Sequence, residues 1–275
     1  MKKRTARRRT ARAATSVGAA AAIAGVAIAG VVTTAAGTAR AQELLDSVGG
    51  RVHDYHSPQN FAFEIRFSPY MVDIDSDPSL HGATPFRNVF GHKPRLFVGA
   101  EFDWQALRVP HFGSLGPGVM AGYTTMTDPA SLVTPDPNGN TTSGETTTLQ
   151  IIPLDVLAVL RIDVLAKDIG IPLVPYAKIG LGYALWRASN TLGTSHTDGI
   201  TGEGHSIGWM VAGGLAFDLN PFDNYSAQNL DDSLGINQTY IFAEFTLNEL
   251  TGLGFQSDPL RVGGPNWTFG LAFEF

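Results

Sequence analysis

"NWTFGLAFEF", Asn266–Phe275, alternates without a break. Trp267, Phe269, Leu271, Phe273 and Phe275 fall on one side, and Asn266, Thr268, Gly270, Ala272 and Glu274 on the other. Successive Cβ atoms of a strand point to opposite faces, so a period of two with one fully apolar face predicts a β-strand. Chain ends usually fray in water. This stretch is too regular and too apolar on one side for that, so the question becomes what its apolar face touches.

Seven further strand-like runs precede it: Phe61–Ile74, Arg95–Val109, Pro117–Met126, Thr147–Asp163, Val174–Ala188, Ser206–Leu219 and Thr239–Leu250. Most reach the roughly 9–11 residues that a tilted strand needs to cross a bilayer. Long polar or Gly/Pro-rich connections (75–94, 127–146, 189–205 and 251–265) follow the odd-numbered runs. Shorter turns, 110–116 and 164–173, follow the second and fourth. Long loops at one end and short turns at the other are the mark of an up-and-down transmembrane barrel. The connection 220–238 breaks the rule by its length; Asn220-Pro221 is a helix-start signal, so a short helix is expected there.

Charge placement tests the barrel. An Arg or Lys on the lipid face costs roughly 2–4 kcal/mol near the midplane, so mid-strand charges should share the polar parity. Glu64 and Arg66 oppose Phe61, Phe63, Ile65 and Phe67. Glu101 and Asp103 oppose Leu96, Val98, Phe102 and Trp104. Asp155 and Arg161 oppose Ile152, Leu154, Val156 and Leu160. Lys178 opposes Ile179, Leu181 and Tyr183, and Glu244 opposes Ile241, Phe245 and Leu247. Gly180, Gly182, Gly208 and Gly214 lie on the polar face, where a narrow lumen is crowded. Trp104, Trp209 and Trp267 lie on the apolar face near strand ends, as interfacial aromatics should. Trp186 has the opposite parity: either a bulge shifts its strand or the ring points into the barrel mouth.

Composition agrees with strands rather than helices in a membrane. The 275 residues are 44% hydrophobic and only 16% charged, yet no apolar run after residue 41 is long enough for a spanning helix. There is no cysteine, hence no disulfide framework and no lipidated cysteine. Of 19 Lys/Arg, eight lie in residues 1–41, which leaves 11 bases against 25 acids, or −14, for residues 42–275. Such an acidic remainder argues against a nucleic-acid partner. The basic stretch Met1–Arg12, the small apolar stretch Ala13–Ala39 and Ala39-Arg40-Ala41 have the order of a signal peptide with its cleavage site, so residues 1–41 are expected to be removed. An uncleaved anchor helix is the alternative. Arg8-Arg9 hints at twin-arginine export, but Thr10-Ala11-Arg12 lacks the hydrophobic residues expected behind the pair.

A soluble sandwich or lipocalin-like barrel has the same alternation with the faces reversed. The export signal, the mixed Glu/Asp/Lys/Arg/Gly faces and the aromatic last residue favour the membrane version. At this point "WTFGLAFEF" resembles the C-terminal recognition strand of Gram-negative outer-membrane β-barrels, with Trp267, Phe269, Leu271, Phe273 and Phe275 at the matching positions. The resemblance implies insertion by the barrel-assembly machinery and residence in the cell outer membrane among its lipids and lipopolysaccharide. "LGINQTYIFAEF", Leu234–Phe245, is also similar to a functionally uncharacterised myxobacterial-type barrel family, which brings no known activity.

An eight-stranded barrel has an interior just wide enough to be filled by side chains. Glu64, Arg66, Glu101, Asp103, Asp155, Arg161, Lys178, Glu244 and Glu274 are therefore expected to form a packed network, with Arg66 beside Glu274 where the first and last strands close. Asp73, Asp75 and Asp77 alternate as in a calcium loop, but Pro78 and Thr84 stand where such a loop needs Gly and Glu, so a solvated loop base is expected. The seven histidines show no metal-ligand spacing. Ser195-His196 and His205-Ser206, with Glu203 nearby, supply the residue types of a lipid hydrolase, though a triad is defined by geometry. Lys93, Arg95 and Arg187 sit where strands leave the membrane, as rim polarity or as phosphate contacts.

The expected architecture is all-β: a signal peptide (1–41), a periplasmic N-terminal segment (42–60) and one eight-stranded antiparallel up-and-down transmembrane barrel (61–275). The expected role is structural or surface-interactive, through long extracellular loops, with no cofactor, no metal and no enzymatic activity. A lipopolysaccharide-modifying hydrolase, a small narrow pore and a soluble secreted β-protein are the alternatives. The sequence names no surface ligand.

Overall fold

The computed structural model describes residues 59–275 apart from 133, 135–138, 140, 192, 198–199, 255 and 257–258. The expected signal peptide and the N-terminal segment as far as residue 58 lie outside the described residues.

Eight long strands close on themselves: β1 (Phe61–Tyr70), β2 (Arg95–Trp104), β3 (Gly113–Ser131), β4 (Thr142–Arg161), β5 (Leu173–Asn190), β6 (Glu203–Asp218), β7 (Gln238–Glu249) and β8 (Gly264–Glu274). Each pairs antiparallel with its sequence neighbours, and β8 returns to β1 with Ala62 opposite Glu274 and Phe67 opposite Phe269. Closure leaves the barrel without an edge strand, which is how a sheet satisfies its backbone in lipid. At the seam, the Phe275 carbonyl accepts from the amides of Asn60 and Phe61, at 3.0 and 2.9 Å, and its amide donates to Phe61 O. No helix among the described residues is long and apolar enough to span a membrane.

The faces divide by parity. Val156, Ile179 and Leu181 are more than 60% exposed on the outside, in mid-strand, while Glu64, Glu101, Asp155, Lys178 and Glu244 are 2% exposed or less. An apolar surface of this extent around a closed barrel, with ionised groups inside, is an inverted core: its solvent is hydrocarbon. The barrel is therefore a transmembrane one.

Strand lengths differ from the expected runs, and the differences shape the lumen. β3, β4, β5 and β6 have 16–20 residues, whereas β1, β2, β7 and β8 have 10–12. Half of the connection expected at 127–146 is strand, leaving only 132–141 between β3 and β4. Cross-strand Thr pairs such as Thr127–Thr148 continue the ladder above the lipid-facing part. Conversely, the run expected to reach Ile74 stops at Tyr70. Beyond it Met71 N donates to Asn266 Oδ1, and the chain turns into 3₁₀ turns and helix α1 (Pro85–Phe90). The run expected to reach Val109 stops at Trp104, where Gln105 N bonds Asn60 O; Leu107–Val109 then pairs with β3 as a separate short ladder.

Two turn-end connections are helical: α2 (Val164–Lys167) and α3 (Asn224–Leu234). The helix expected after Asn220-Pro221 is α3, but Asn220–Phe222 makes only a 3₁₀ turn and the N-cap is Asp223, whose carboxylate accepts from Ser226 N. Gly235 ends α3 in the left-handed region, φ 69°, which a side chain would strain.

Candidate functional site

Among the described residues, the largest convergence of ionisable side chains is in the lumen. Glu64 and Arg66 lie two apart on β1, so both point inward, and β2, β4, β5 and β7 bring the rest. Arg66 Nη1 donates to Glu64 Oε2 at 2.7 Å and to Glu101 Oε2 at 2.5 Å, and Nη2 donates to Glu244. Arg161 Nη2 joins Glu64 Oε1 at 2.6 Å to Asp103 Oδ2 at 2.7 Å. Lys178 Nζ sits among Glu64 (2.9 Å), Glu101 (2.5 Å) and Glu244 (3.1 Å). Two rings floor the network: Tyr176, 4.9 Å from Lys178 Nζ, and Phe242, 5.5 Å from the Arg66 guanidinium carbon. Cations over ring faces are favoured most where water is excluded. Thr246 Oγ1 adds a bond to Glu244 Oε1 at 2.8 Å.

Oxygens of Glu64, Glu101 and Asp103 lie within 4.8 Å of one another, the geometry of a metal cluster. Arg66, Arg161 and Lys178 already fill that space with their own positive charge, so these three acids are not offered to an ion. Burying such pairs gives little net stability, but removing one partner leaves an uncompensated charge.

Two of the expected lumen charges stand apart. Glu274 does not meet Arg66, which corrects the expected pair. Arg66 lies opposite Gly270 in the β1–β8 register, and Glu274 lies opposite Ala62, four positions (62 to 66) further down. That is about 13 Å along a strand. Glu274 instead accepts from Gln105 Nε2 at 2.8 Å and Tyr240 OH at 3.2 Å at the turn end. Asp155 is buried, and neither of its oxygens has a hydrogen-bond partner.

Toward the loop end the lumen changes character. Met126, Leu149, Ile151, Met210 and Phe97 point inward and pack with Val72, Ile74, Phe90, Leu250 and Val262 from the loops. Sequence parity missed this apolar layer because β4 is apolar on both faces: Leu149, Ile151, Leu157 and Val159 inside, Ile152, Leu154 and Val156 outside. Trp186 belongs to the layer. β5 keeps its register on both sides, so there is no bulge and the ring points inward, into space that Gly204 leaves open. The available signal was apolar residues on a polar parity: Trp186 here, and Tyr176 and Phe242 below.

Among the described residues the remaining candidates do not assemble, and the His196 side chain lies outside them. His205 stacks on Tyr183 outside the barrel, 5.4 Å between centroids, whereas Ser206, one residue on, points inward and donates to Leu260 O at 2.6 Å. Asp75 accepts from the amides of Phe86 and Arg87 at 2.8 Å, Asp77 accepts from Ser79 N, and Asp73 takes the Ser76 hydroxyl. Each is spent on local turns, and the Ser79 amide and hydroxyl hold the Asp77 carboxyl below its ordinary range. Arg95 pairs with Asp128, and Arg187 Nε donates to Thr194 Oγ1 at 2.9 Å. Trp267, Phe269 and Leu271 are exposed on the outer face and Phe273 and Phe275 half-buried; Trp104 and Trp209 are likewise exposed, at opposite ends of the barrel. Phe275 packs 6.1 Å from Phe61 and 6.3 Å from Phe102.

No protein-family model matches the sequence, and no curated protein sequence matches it. Among solved structures it is similar to Ail, the attachment invasion locus protein of Yersinia pestis, in complex with the heparin analogue sucrose octasulfate: 12% identity over 79% of this chain and 97% of that one, TM-score 0.39. Neisserial surface protein A is similar at 12% over 79% and 95%, TM-score 0.39. The outer membrane protein OprG from Pseudomonas aeruginosa is similar at 10% over 80% and 97%, TM-score 0.42. The architecture here rests on the strand pairing itself.

Proposed function

We propose that this protein is a non-conducting barrel of a Gram-negative outer membrane, exported by residues 1–41, that serves a structural or contact role through the connections at its loop end. The filled lumen carries this reading. An ionic network spans the middle and an apolar layer lies above it, so among the described residues side chains fill the interior and the exposed loop end is what remains to meet a partner. A small cleft at that end, lined by Asp73, Asn248, Leu250 and Gly264 among others, holds about 10 Å³, room for about one water. Under this reading both barrel termini face the periplasm, the outer face meets lipid and lipopolysaccharide between the Trp104 and Trp209/Trp267 girdles, and the strand ending in Phe275 is read by the assembly machinery. Two measurements test it. The protein should fractionate with outer membranes and run with heat-modifiable mobility on gels; recovery in a soluble fraction with no mobility shift overturns the membrane reading. Planar-bilayer recordings should show no unitary steps; regular steps would replace the contact role with a pore.

A further inference from the structure

The seam between the first and last strands is not zipped along its whole length. β1 pairs with β8 only as far as Phe67 opposite Phe269, whereas on its other side it pairs with β2 on to Tyr70 opposite Arg95. Pro69 falls in this gap and has no N–H to offer a neighbouring strand. β8 itself runs on, paired with β7 as far as Gly264, and the next tie across the seam is Met71 N to the Asn266 side chain at 3.0 Å.

The outer wall is grooved at this place. Phe67, Pro69, Pro94, Leu96 and Phe269, among others, line an open hollow of about 340 Å³. That lies within the ~300–1,000 Å³ of clefts that hold small ligands. Phe67, Leu96 and Phe269 are 43, 67 and 49% exposed on the outer face, so the hollow opens to the bilayer. Trp267, two residues nearer the loop end than Phe269, sets its height at the membrane interface. Just beyond it the chain turns basic: Arg87, His92, Lys93 and Arg95 fall within nine residues (87–95). Arg95 pairs with Asp128, and Asp75 is taken up by the amides of Phe86 and Arg87. Lys93, next to Pro94 of the groove, is exposed and has no acidic partner among the described residues.

We propose that the groove at the β1–β8 seam seats one acyl chain of an outer-leaflet lipopolysaccharide, with a lipid A phosphate on Lys93. The proposal rests on the outer-membrane reading above, which turns the loop end toward the cell surface. A hollow in a wall that faces hydrocarbon is filled by a lipid chain, and the gain is contact along that chain. The uncompensated cation then selects the headgroup. A phosphate accepts a charge-assisted hydrogen bond from the ammonium, which favours an anionic lipid over a zwitterionic one. Rim charge and groove act together, so the site recognises an amphiphile by both of its ends.

The full chain, folded in detergent, is titrated with lipid A or with phosphatidylglycerol, and bound lipids are counted by native mass spectrometry. One saturable lipid A adduct is expected, with phosphatidylglycerol bound more weakly. Lys93→Glu and Leu96→Trp, which reverses the rim charge and fills the groove respectively, should each weaken lipid A about tenfold. Leu181→Trp, on the outer face of β5 across the barrel, should leave it unchanged. Phosphatidylglycerol bound as tightly as lipid A overturns the lipopolysaccharide assignment. Full lipid A affinity in Leu96→Trp overturns the groove, and full affinity in Lys93→Glu overturns the phosphate contact. Heat-modifiable mobility in the same samples reports the barrel itself, so absence of the adduct with that mobility kept overturns this site and leaves the outer-membrane reading standing.

Discussion

The ionic layer around Arg66 and the apolar layer around Ile151 occupy one lumen, yet they are walled differently. The ionic layer sits where all eight strands are present, so Glu64, Glu101, Arg161, Lys178 and Glu244 each project from a hydrogen-bonded ladder. The apolar layer extends from within the eight-strand part toward the loop end, where β3, β4, β5 and β6 outrun the shorter strands, and loop residues such as Val72, Phe90 and Val262 complete it. Ion pairs need fixed distances and angles, which rigid strands provide. Apolar contacts are non-directional and tolerate the less regular backbone of a loop. Each layer has the chemistry its walls can hold.

Four measurements would break or sharpen that contrast. The largest effect is expected from Lys178→Met, which strips Glu64, Glu101 and Glu244 of a shared cation and should cost about 3–5 kcal/mol in urea unfolding; a cost under about 1 kcal/mol would mean the layer is hydrated and not a packed network. Ile151→Ala, in the apolar layer, should cost about 2–4 kcal/mol, with the exact value tracking how far the loops collapse into the cavity. Truncating the layer from the loop side, as in Val262→Ala, should cost less than Ile151→Ala, because a loop relaxes more readily than a strand. Outside the lumen, Leu181→Arg on the same strand as Lys178 should cost about 2–4 kcal/mol in lipid vesicles; a neutral result would place that face in water and undo the inside–outside assignment on which both layers depend.

The smallest effect lies beyond the membrane. Bonds from the Ser226 amide and then its hydroxyl hold the Asp223 carboxyl below its ordinary value at the start of α3. A depressed carboxylate contributes above its unfolded pKa, near ~3.9, and the contribution fades as pH falls through the lower folded value. Protection factors at Ser226 and Ala227, corrected for the intrinsic pH dependence of exchange, should therefore fall below about pH 4, while both lumen layers stay protected. Loosening of the lumen in the same range would show that it is no more shielded than this exposed cap.

Much of the architecture could be read directly from residue order. On β1, β2, β5, β6, β7 and β8 one face is apolar and the other carries charge or glycine, so each strand declares its own orientation. β4 declared itself only through Asp155 and Arg161. Its other inward residues are as apolar as its outward ones, and this is why the apolar layer escaped notice. Strand limits were equally hidden, since 142–146 has the composition of a loop and becomes strand by pairing with the end of β3.

The sequence alone determined that the chain alternates, which residues of each strand share a face, and that the charged face had to be the enclosed one in a membrane. Those properties are local, because the period of two is built into the geometry of a single strand. The tertiary structure decided that Arg66 meets Glu101 and Glu244 and not Glu274, that Asp155 meets no base, and that Trp186 turns inward. Those outcomes depend on how far each strand is offset from its neighbours around a closed ring, a quantity set by all eight strands together and carried by none of them alone.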